Sequence, residues 1–433
     1  MNKPNILMVI SHDTGRHLGS YGRGVETPEL DGLAEEGIQF ENYFCSQPQC
    51  SPSRGSILTG MYGHNHGLMG LTHLGHTMKS GIKTIPSEIK KAGYHTCLFG
   101  FFHESIDGVY EGEQLGYEHV VKVPGNAAEK VTDELESFLK QRSASGNDAP
   151  FYASVGFEET HRPFDAFEPD PLDSVHVPPY LPDTKEVRED LAFFQGSVKE
   201  LDRAIGRIKR LLAETGLDET TVLVYTTDHG IAFPRAKGTL MDAGLETALI
   251  MRFPEGMVKA GGGRDELLCN VDLMPTLLDI AEGEIPPGID GKSFLPLLKE
   301  EDYEERDHFF CELTWHDRYH PMRGMRTKGF KYIRNFSDGP KVYLPYDIHS
   351  SLSGQVVREE YYVPNTKEEL YDLVTDPLEE QNLATAEDYQ QVLTDMRSAV
   401  AHWMKETHDP LLEGPVPGIE AEEWEHERKW DQR

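Results

Sequence analysis

Over the first two thirds of the chain, short apolar runs alternate with segments in which apolar residues recur every three or four positions. The runs at 6–10, 96–99, 151–157, 221–226 and 248–253 are continuous rather than alternating, which predicts strands covered on both faces. The segments between them carry helix boundaries. Thr27-Pro28-Glu29 places a capping residue ahead of a proline at the first helical position, and Gly37 ends that helix. Residues 86–92 read as a helix stopped by Gly93. The longest pattern, 187–215, has Leu201, Ile205, Ile208, Leu211 and Leu212 on one stripe and stops at Gly216. Strands alternating with helices predict an α/β fold: a large, mostly parallel sheet sandwiched by helices. From about 305 the pattern changes to short strands, 309–314 and 331–335, followed by a helix over 386–406, so a smaller antiparallel sheet with one packing helix is expected there.

Length and composition agree with that division. With 433 residues and 38% hydrophobic content, the chain has room for a catalytic α/β domain over 1–304 and a C-terminal α+β subdomain over 305–433 packed on it. The Glu284-Ile285-Pro286-Pro287-Gly288 stretch is turn-rich, and the acidic segment after Leu412 reads as solvated tail. No run approaches the roughly 18 apolar residues of a membrane span. The N-terminus passes directly into a strand-like segment, and the cysteines at 45, 50, 97, 269 and 311 form no metal-type spacing and no even-numbered disulfide set. Together these predict a cytoplasmic protein. The net charge of −32 excludes nucleic acid as partner, because no basic stripe is present to displace counterions. It also favours a small anion, drawn in by a local cationic pocket, over a long polyanion repelled by the summed field.

Chemistry-bearing residues gather just after four of the predicted strands: His12-Asp13, His103, Thr160-His161 and Asp228-His229-Gly230. Ligands in open α/β sheets bind outside the carboxyl ends of the strands. His12, Asp13, Asp228 and His229 offer two carboxylates and two imidazoles, enough to hold one divalent cation with coordination positions left for a substrate oxygen and a nucleophile. Calcium prefers all-oxygen sites, so the imidazoles pull the preference toward manganese, magnesium or zinc.

The run Cys50-Ser51-Pro52-Ser53-Arg54, continued by Gly55-Ser56-Ile57-Leu58-Thr59-Gly60, resembles the signature of the type I sulfatases of the alkaline-phosphatase-like superfamily. The resemblance implies that a maturation enzyme oxidises Cys50 to formylglycine. A hydrated aldehyde has two geminal hydroxyls: one attacks sulfur and displaces the substrate's alcohol or amine, and collapse of the other expels sulfate. Cys50 is then also a metal ligand, the cation is calcium by resemblance, and Arg54, one turn on, steadies the nucleophile. By the same resemblance Asp13, Asp228 and His229 are metal ligands, His103 and His161 contact sulfate or protonate the leaving group, and Lys237 holds the sulfate. Two positions depart from the family pattern. His12 stands where an aspartate is usual, and Gly100-Phe101-Phe102-His103 lacks the lysine of a Gly-Lys-x-His motif.

Within the family, Asp228-His229-Gly230-Ile231-Ala232-Phe233-Pro234, the segment from Tyr371 to Thr385, the run Trp403 to Pro410 and Pro321-Met322-Arg323 resemble the N-sulfoglucosamine sulfohydrolase (heparan N-sulfatase) branch. The substrate this implies is a small sulfated carbohydrate, N-sulfoglucosamine at a non-reducing end, with His73, His320 and Arg323 as sugar contacts. Two other functions fit the same residues: a phosphate or phosphonate ester hydrolase of the superfamily, and a non-catalytic binder of sulfated sugars.

Overall fold

The computed structural model describes residues 3–105, 112–146, 149–258 and 262–420. In chain order, β1 (Asn5–Ser11), β2 (Ile38–Phe40), β3 (Tyr43–Phe44), β4 (His95–Gly100), β5 (His119–Val121), β6 (Phe151–Gly156), β7 (Thr221–Thr227), β8 (Leu249–Arg252), β9 (Gly263–Arg264) and β10 (Leu268–Cys269) come first. The main sheet has the order β5-β4-β6-β1-β7-β8-β2-β9. From β5 to β7 every neighbour is parallel, and β8 runs against both β7 and β2. β1 is central and fully buried because both of its faces are covered. Leu7 and Val9 pack with Leu201, Ile205 and Ile208 of the long helix, whereas Ile6, Met8 and Ile10 pack with Leu273 and Leu277 on the opposite side. This is why the run at 6–10 is continuously apolar.

The long helix spans Lys185–Thr215. Its N-terminus is capped by the Thr184 hydroxyl, which accepts from the Val187 N–H at 3.3 Å, and Gly216 closes it in the left-handed conformation, φ 68°. The helix expected over 86–92 is shorter, Ile85–Ile89, and tightens into a 3₁₀ turn, Lys90–Ala92, before Gly93.

The C-terminal sheet is antiparallel, in the order β11 (His308–Trp315), β12 (Tyr319–Thr327), β13 (Phe330–Asn335) and β14 (Glu368–Asp372). β12 and β14 carry Arg and Glu at inward positions, which hid them from hydropathy. The helix expected from 386 starts as a 3₁₀ turn, Glu387–Tyr389, and continues as Gln390–Glu406. It packs Met396, Val400 and Trp403 onto this sheet in a cluster that also takes Phe44, Leu245 and Cys269 from the first part of the chain, so the two parts share a core. The acidic segment beyond Glu420 lies outside the described residues. Among the described residues no helix is long and apolar enough to cross a membrane, and all five cysteines are unpaired and buried.

Candidate active site

β4, β6, β1 and β7 are consecutive in the sheet, so the residues that follow their carboxyl ends converge. Gly156 permits the tight exit of β6: a Cβ there would stand 1.8 Å from the Phe101 carbonyl oxygen. His12, Asp13, Cys50, Asp228 and His229 are all buried and present donor atoms within 4.8 Å of one another. Cys50 begins a helix, Cys50–Thr59, in which every residue is buried. Its Sγ is 3.4 Å from His229 Nε2 and 3.9 Å from Asp13 Oδ1. A helix N-terminus directs backbone N–H groups at an anion placed against position 50.

The donor set fits a divalent cation. His229 Nδ1 lies 2.9 Å from the Gly230 carbonyl. A carbonyl only accepts, so Nδ1 carries the proton and Nε2 turns its lone pair into the cluster. Both ring nitrogens of His12 are buried without a hydrogen-bond partner, and Nε2 stands 3.5 Å from Asp13 Oδ1 and 3.6 Å from Asp228 Oδ2. Leaving such atoms unpaired costs about 1–3 kcal/mol each; a cation bound between the carboxylates would take up Nε2 and remove its share. Arg54 pairs through Nε with Asp228 Oδ2 at 3.0 Å and donates from its terminal amino group to the Ser11 carbonyl at 3.1 Å. It thereby orients a ligand of the cluster.

Lys237 is buried, with Nζ 2.7 Å from Asp13 Oδ2, 3.0 Å from Asp347 Oδ2 and 3.4 Å from His161 Nε2. His161 Nδ1 is 2.5 Å from the Arg162 carbonyl, which leaves Nε2 as an acceptor facing the ammonium. Burial, with Lys237 and His12 beside it, keeps this ring below its ordinary pKa and therefore neutral. Behind it Arg162 makes a bidentate pair with Asp190, 2.7 Å on each arm, and lies against the rings of Phe164 and Phe233, which fixes the loop. Burial opposes ionisation of the Cys50 thiol, but Lys237 and His12 outweigh it and hold the group well below its usual range.

Phe101 stacks on His12 at 4.7 Å between centroids and lies under the Arg54 guanidinium at 4.8 Å. The position that lacks a lysine is therefore filled by a ring bridging two residues of the cluster. His103 stacks face to face on His73, 8° between planes, with Nε2 3.4 Å from His73 Nδ1. His73 is exposed at this edge of the site.

The two other expected sugar contacts lie elsewhere. Arg323 is fully buried on β12, bound to Asp409 and to the Leu313 and Met322 carbonyls and ion-paired with Glu312 at 3.3 Å. Its donors are spent inside the C-terminal core, so it presents none to a sugar. His320 is buried, stacked on Tyr343 at 5.2 Å, and burial lowers its pKa to about 4. Instead, the C-terminal part reaches the cluster through residues that sequence reasoning missed. Asp347 meets Lys237 because Gly238, at φ 82°, lets that loop lie against Pro345, whose Cγ would be 2.8 Å from a Cβ. His316, in the bend between β11 and β12, is 4% exposed, and its Nδ1 is 2.7 Å from Asp317 Oδ1. Burial disfavours its charge, but Asp317 raises its pKa to about 9. A sequence signal for it exists: His316-Asp317 is another adjacent His/Asp pair, like His12-Asp13 and Asp228-His229.

Comparison with known proteins decides the family. Residues 4–283 match the model described as "Sulfatase". The chain belongs to the sulfatase family. Residues 234–353 of this sulfatase also match the model "N-sulphoglucosamine sulphohydrolase, C-terminal". An "Ulvan-active sulfatase" of Formosa agariphila is 30% identical over 428 residues, covering 96% of this chain and 82% of the relative. Human "N-sulphoglucosamine sulphohydrolase" is 28% identical over 475 residues, covering 95% and 92%. A solved structure described as in complex with its substrate D-glucosamine-2-N,6-O-disulfate superposes with TM-score 0.71 at 20% identity, covering 95% of this chain and 99% of that one, and shares the fold. The protein is therefore an enzyme of sulfatase type, and its mostly parallel sheet with a small antiparallel C-terminal sheet is that of its relatives.

Proposed function

We propose that this sulfatase hydrolyses a sulfate ester or sulfamate on a small sugar, with N-sulfoglucosamine at a non-reducing end as the favoured substrate, through a formylglycine made from Cys50. The observation that carries the reaction is the position of Cys50: at a helix N-terminus, buried, and ringed by Lys237, His12, Asp13 and His229. The match of residues 234–353 to the N-sulphoglucosamine sulphohydrolase C-terminal model supports the substrate. One divalent cation would be held by His12, Asp13, Asp228 and His229 with position 50, adding positive charge where negative charge develops on the transferred group. Two imidazoles among the donors favour manganese or zinc over calcium.

The chain's own residues divide the remaining work. Lys237 holds a sulfate oxygen and is kept charged by Asp13 and Asp347. Arg54 fixes Asp228, and Phe101 covers the Arg54 face and so excludes water from it. His161, neutral with its lone pair on Nε2, orients Lys237 and accepts a proton. His103, at the exposed edge beside His73, is the residue placed to protonate a departing amine or alcohol. A formylglycine-generating enzyme is the required maturation partner. Five unpaired cysteines fit the reducing cytoplasm, and we place the enzyme there.

The test joins two measurements on protein from its own host: the mass of the peptide containing residue 50, and turnover of glucosamine 2-N-sulfate, glucosamine 6-O-sulfate and a phosphate ester of one alcohol. Formylglycine at position 50 with preference for the 2-N-sulfate is expected. An unmodified cysteine in active protein overturns the mechanism. Preference for the 6-O-sulfate overturns the substrate, and preference for the phosphate overturns the reaction class.

A further inference from the structure

Around position 50 most polar donors are already committed. Lys237 is held between Asp13 and Asp347, Arg54 is held by Asp228 and the Ser11 carbonyl, and Phe101 has no donor to offer. On the side formed by the C-terminal sheet the His316 ring presents an uncommitted atom. The His316 ring is held at Nδ1 by Asp317 Oδ1 at 2.7 Å. The other carboxylate oxygen accepts from the Tyr343 hydroxyl at 3.1 Å and from the Tyr346 backbone N–H at 2.6 Å. A carboxylate only accepts, so Nδ1 is protonated, and the ring cannot turn without breaking that bond; as the imidazolium ion-paired with buried Asp317, it carries a second proton on Nε2, which makes Nε2–H a donor. Nε2 is buried with no hydrogen-bond partner and faces the Cys50 thiol. His73 lies near the same wall, close enough to interact with both His316 and Asp317.

A buried ring nitrogen without a partner is rare enough to need a reason. Here three groups from two segments hold the ring in one orientation, and that orientation aims the unpaired atom at the reacting centre. Donors preorganised toward the place where charge develops are a main source of transition-state stabilisation. We propose that His316 is a substrate contact of the sulfatase reaction: its Nε2 binds an oxygen of the sulfate group brought against position 50, with Asp317, Tyr343 and Tyr346 as its positioning residues. The C-terminal part thereby contributes a donor of its own to the anion pocket, beside the Asp347 carboxylate that holds Lys237. The inference rests on the reading that the reaction is centred on position 50.

The test compares mature wild-type enzyme with His316→Ala, His316→Gln and Asp317→Asn, reading kcat and KM for a series of aryl sulfates, the inhibition constant of inorganic sulfate, and the thermal midpoint. His316→Ala should weaken sulfate inhibition and lower kcat/KM by about ten- to hundred-fold, the range of a charge-assisted hydrogen bond. The same factor is expected for good and poor leaving groups, alongside a lower midpoint from losing the buried His316–Asp317 pair. His316→Gln, which keeps an N–H donor, should recover part of the loss, and Asp317→Asn should show an intermediate one. His316→Asn, polar but too short to reach, replaces the alanine variant if that one does not fold. An alanine or asparagine variant that matches wild type in both turnover and sulfate inhibition overturns the proposal. So does a loss confined to poor leaving groups, which would place Nε2 on the departing atom. A wild type that turns over neither a sulfate ester nor a sulfamate would refute the position-50 reading itself, a result separate from these.

Discussion

Phe101→Leu and Phe101→Lys distinguish a ring that supports the site from one that merely occupies the place of an absent lysine. The Arg54 guanidinium lies 4.8 Å from the ring centroid, and the His12 ring is 4.7 Å away at 28°. A cation over a partly desolvated ring contributes about 1–2 kcal/mol and an aromatic pair about 0.5–1.5 kcal/mol. Leucine keeps most of the apolar volume and loses both contacts, so it should cost about 2–3 kcal/mol of stability. Lysine loses the same contacts and adds a second cation. Two like charges about 5 Å apart in an effective dielectric near 20 repel by about 3 kcal/mol, and Asp228, already paired with Arg54, offsets only part of it. The total for lysine is then about 4–5 kcal/mol. Urea unfolding of metal-free protein, followed by tryptophan fluorescence, should rank wild type above leucine above lysine, and kcat/KM of the lysine variant should fall. A lysine variant within about 1 kcal/mol of wild type, below the usual cost of a disruptive core change, with raised kcat/KM would refute the reasoning.

Other consequences follow from the same geometry. His12→Asp exchanges a nitrogen donor for a carboxylate, so protein purified without added metal should lose manganese or zinc and gain calcium; elemental analysis showing the same metal in both would count against the donor argument. Asp347→Asn removes one of the two carboxylates on Lys237 and should lower kcat/KM about 10- to 100-fold, while circular dichroism stays that of wild type. Asp202, buried beneath the N-terminus of the helix Pro28–Glu36, accepts from the Glu29 and Leu30 N–H groups, yet burial raises its pKa to about 6. A carboxyl raised on folding binds extra protons in the native state, so stability should fall as pH rises from about 4 to 6, by about 1–2 kcal/mol once partial solvation is allowed for. Asp202→Asn should flatten that slope in unfolding midpoints measured across this pH range. Finally, with a net charge of −32, turnover of a sulfated polymer should rise with salt up to about 0.3 M as repulsion is screened, while a monosaccharide sulfate responds little. A polymer rate that falls with salt would contradict this.

The cluster at the sheet's carboxyl edge was legible because its geometry is local to strand ends. A run such as 6–10 is continuously apolar only if both faces are covered, and the polar residues that follow it then sit at the sheet's carboxyl edge. His12, His103, His161 and Asp228 could be placed together from that rule alone. Cys50 was legible for a different reason, since a five-residue pattern carries it. Short edge strands such as β5 and β9 were not legible, because two or three residues give no period to read.

The residues from the C-terminal part failed for a physical reason. Their place is fixed by packing between distant segments: Gly238 against Pro345 delivers Asp347, and the bond from Asp317 to the Tyr346 N–H holds His316. Neither contact leaves a trace in local periodicity, and Asp347 is one among 74 acidic residues. The resemblance carried by Pro321-Met322-Arg323 pointed instead to Arg323 and His320, neighbours on the same segment. Arg323 faces inward because β12 crosses the middle of a sheet whose other face is covered by the helix Gln390–Glu406, and an arginine buried there has to be neutralised by Glu312 and Asp409. The bend at 316–318, five to seven residues earlier, is free of that constraint and turns toward position 50. Substrate contacts of this enzyme should therefore be sought in the bends and turns of the small sheet, at 316–318 and 343–347, rather than along its strands.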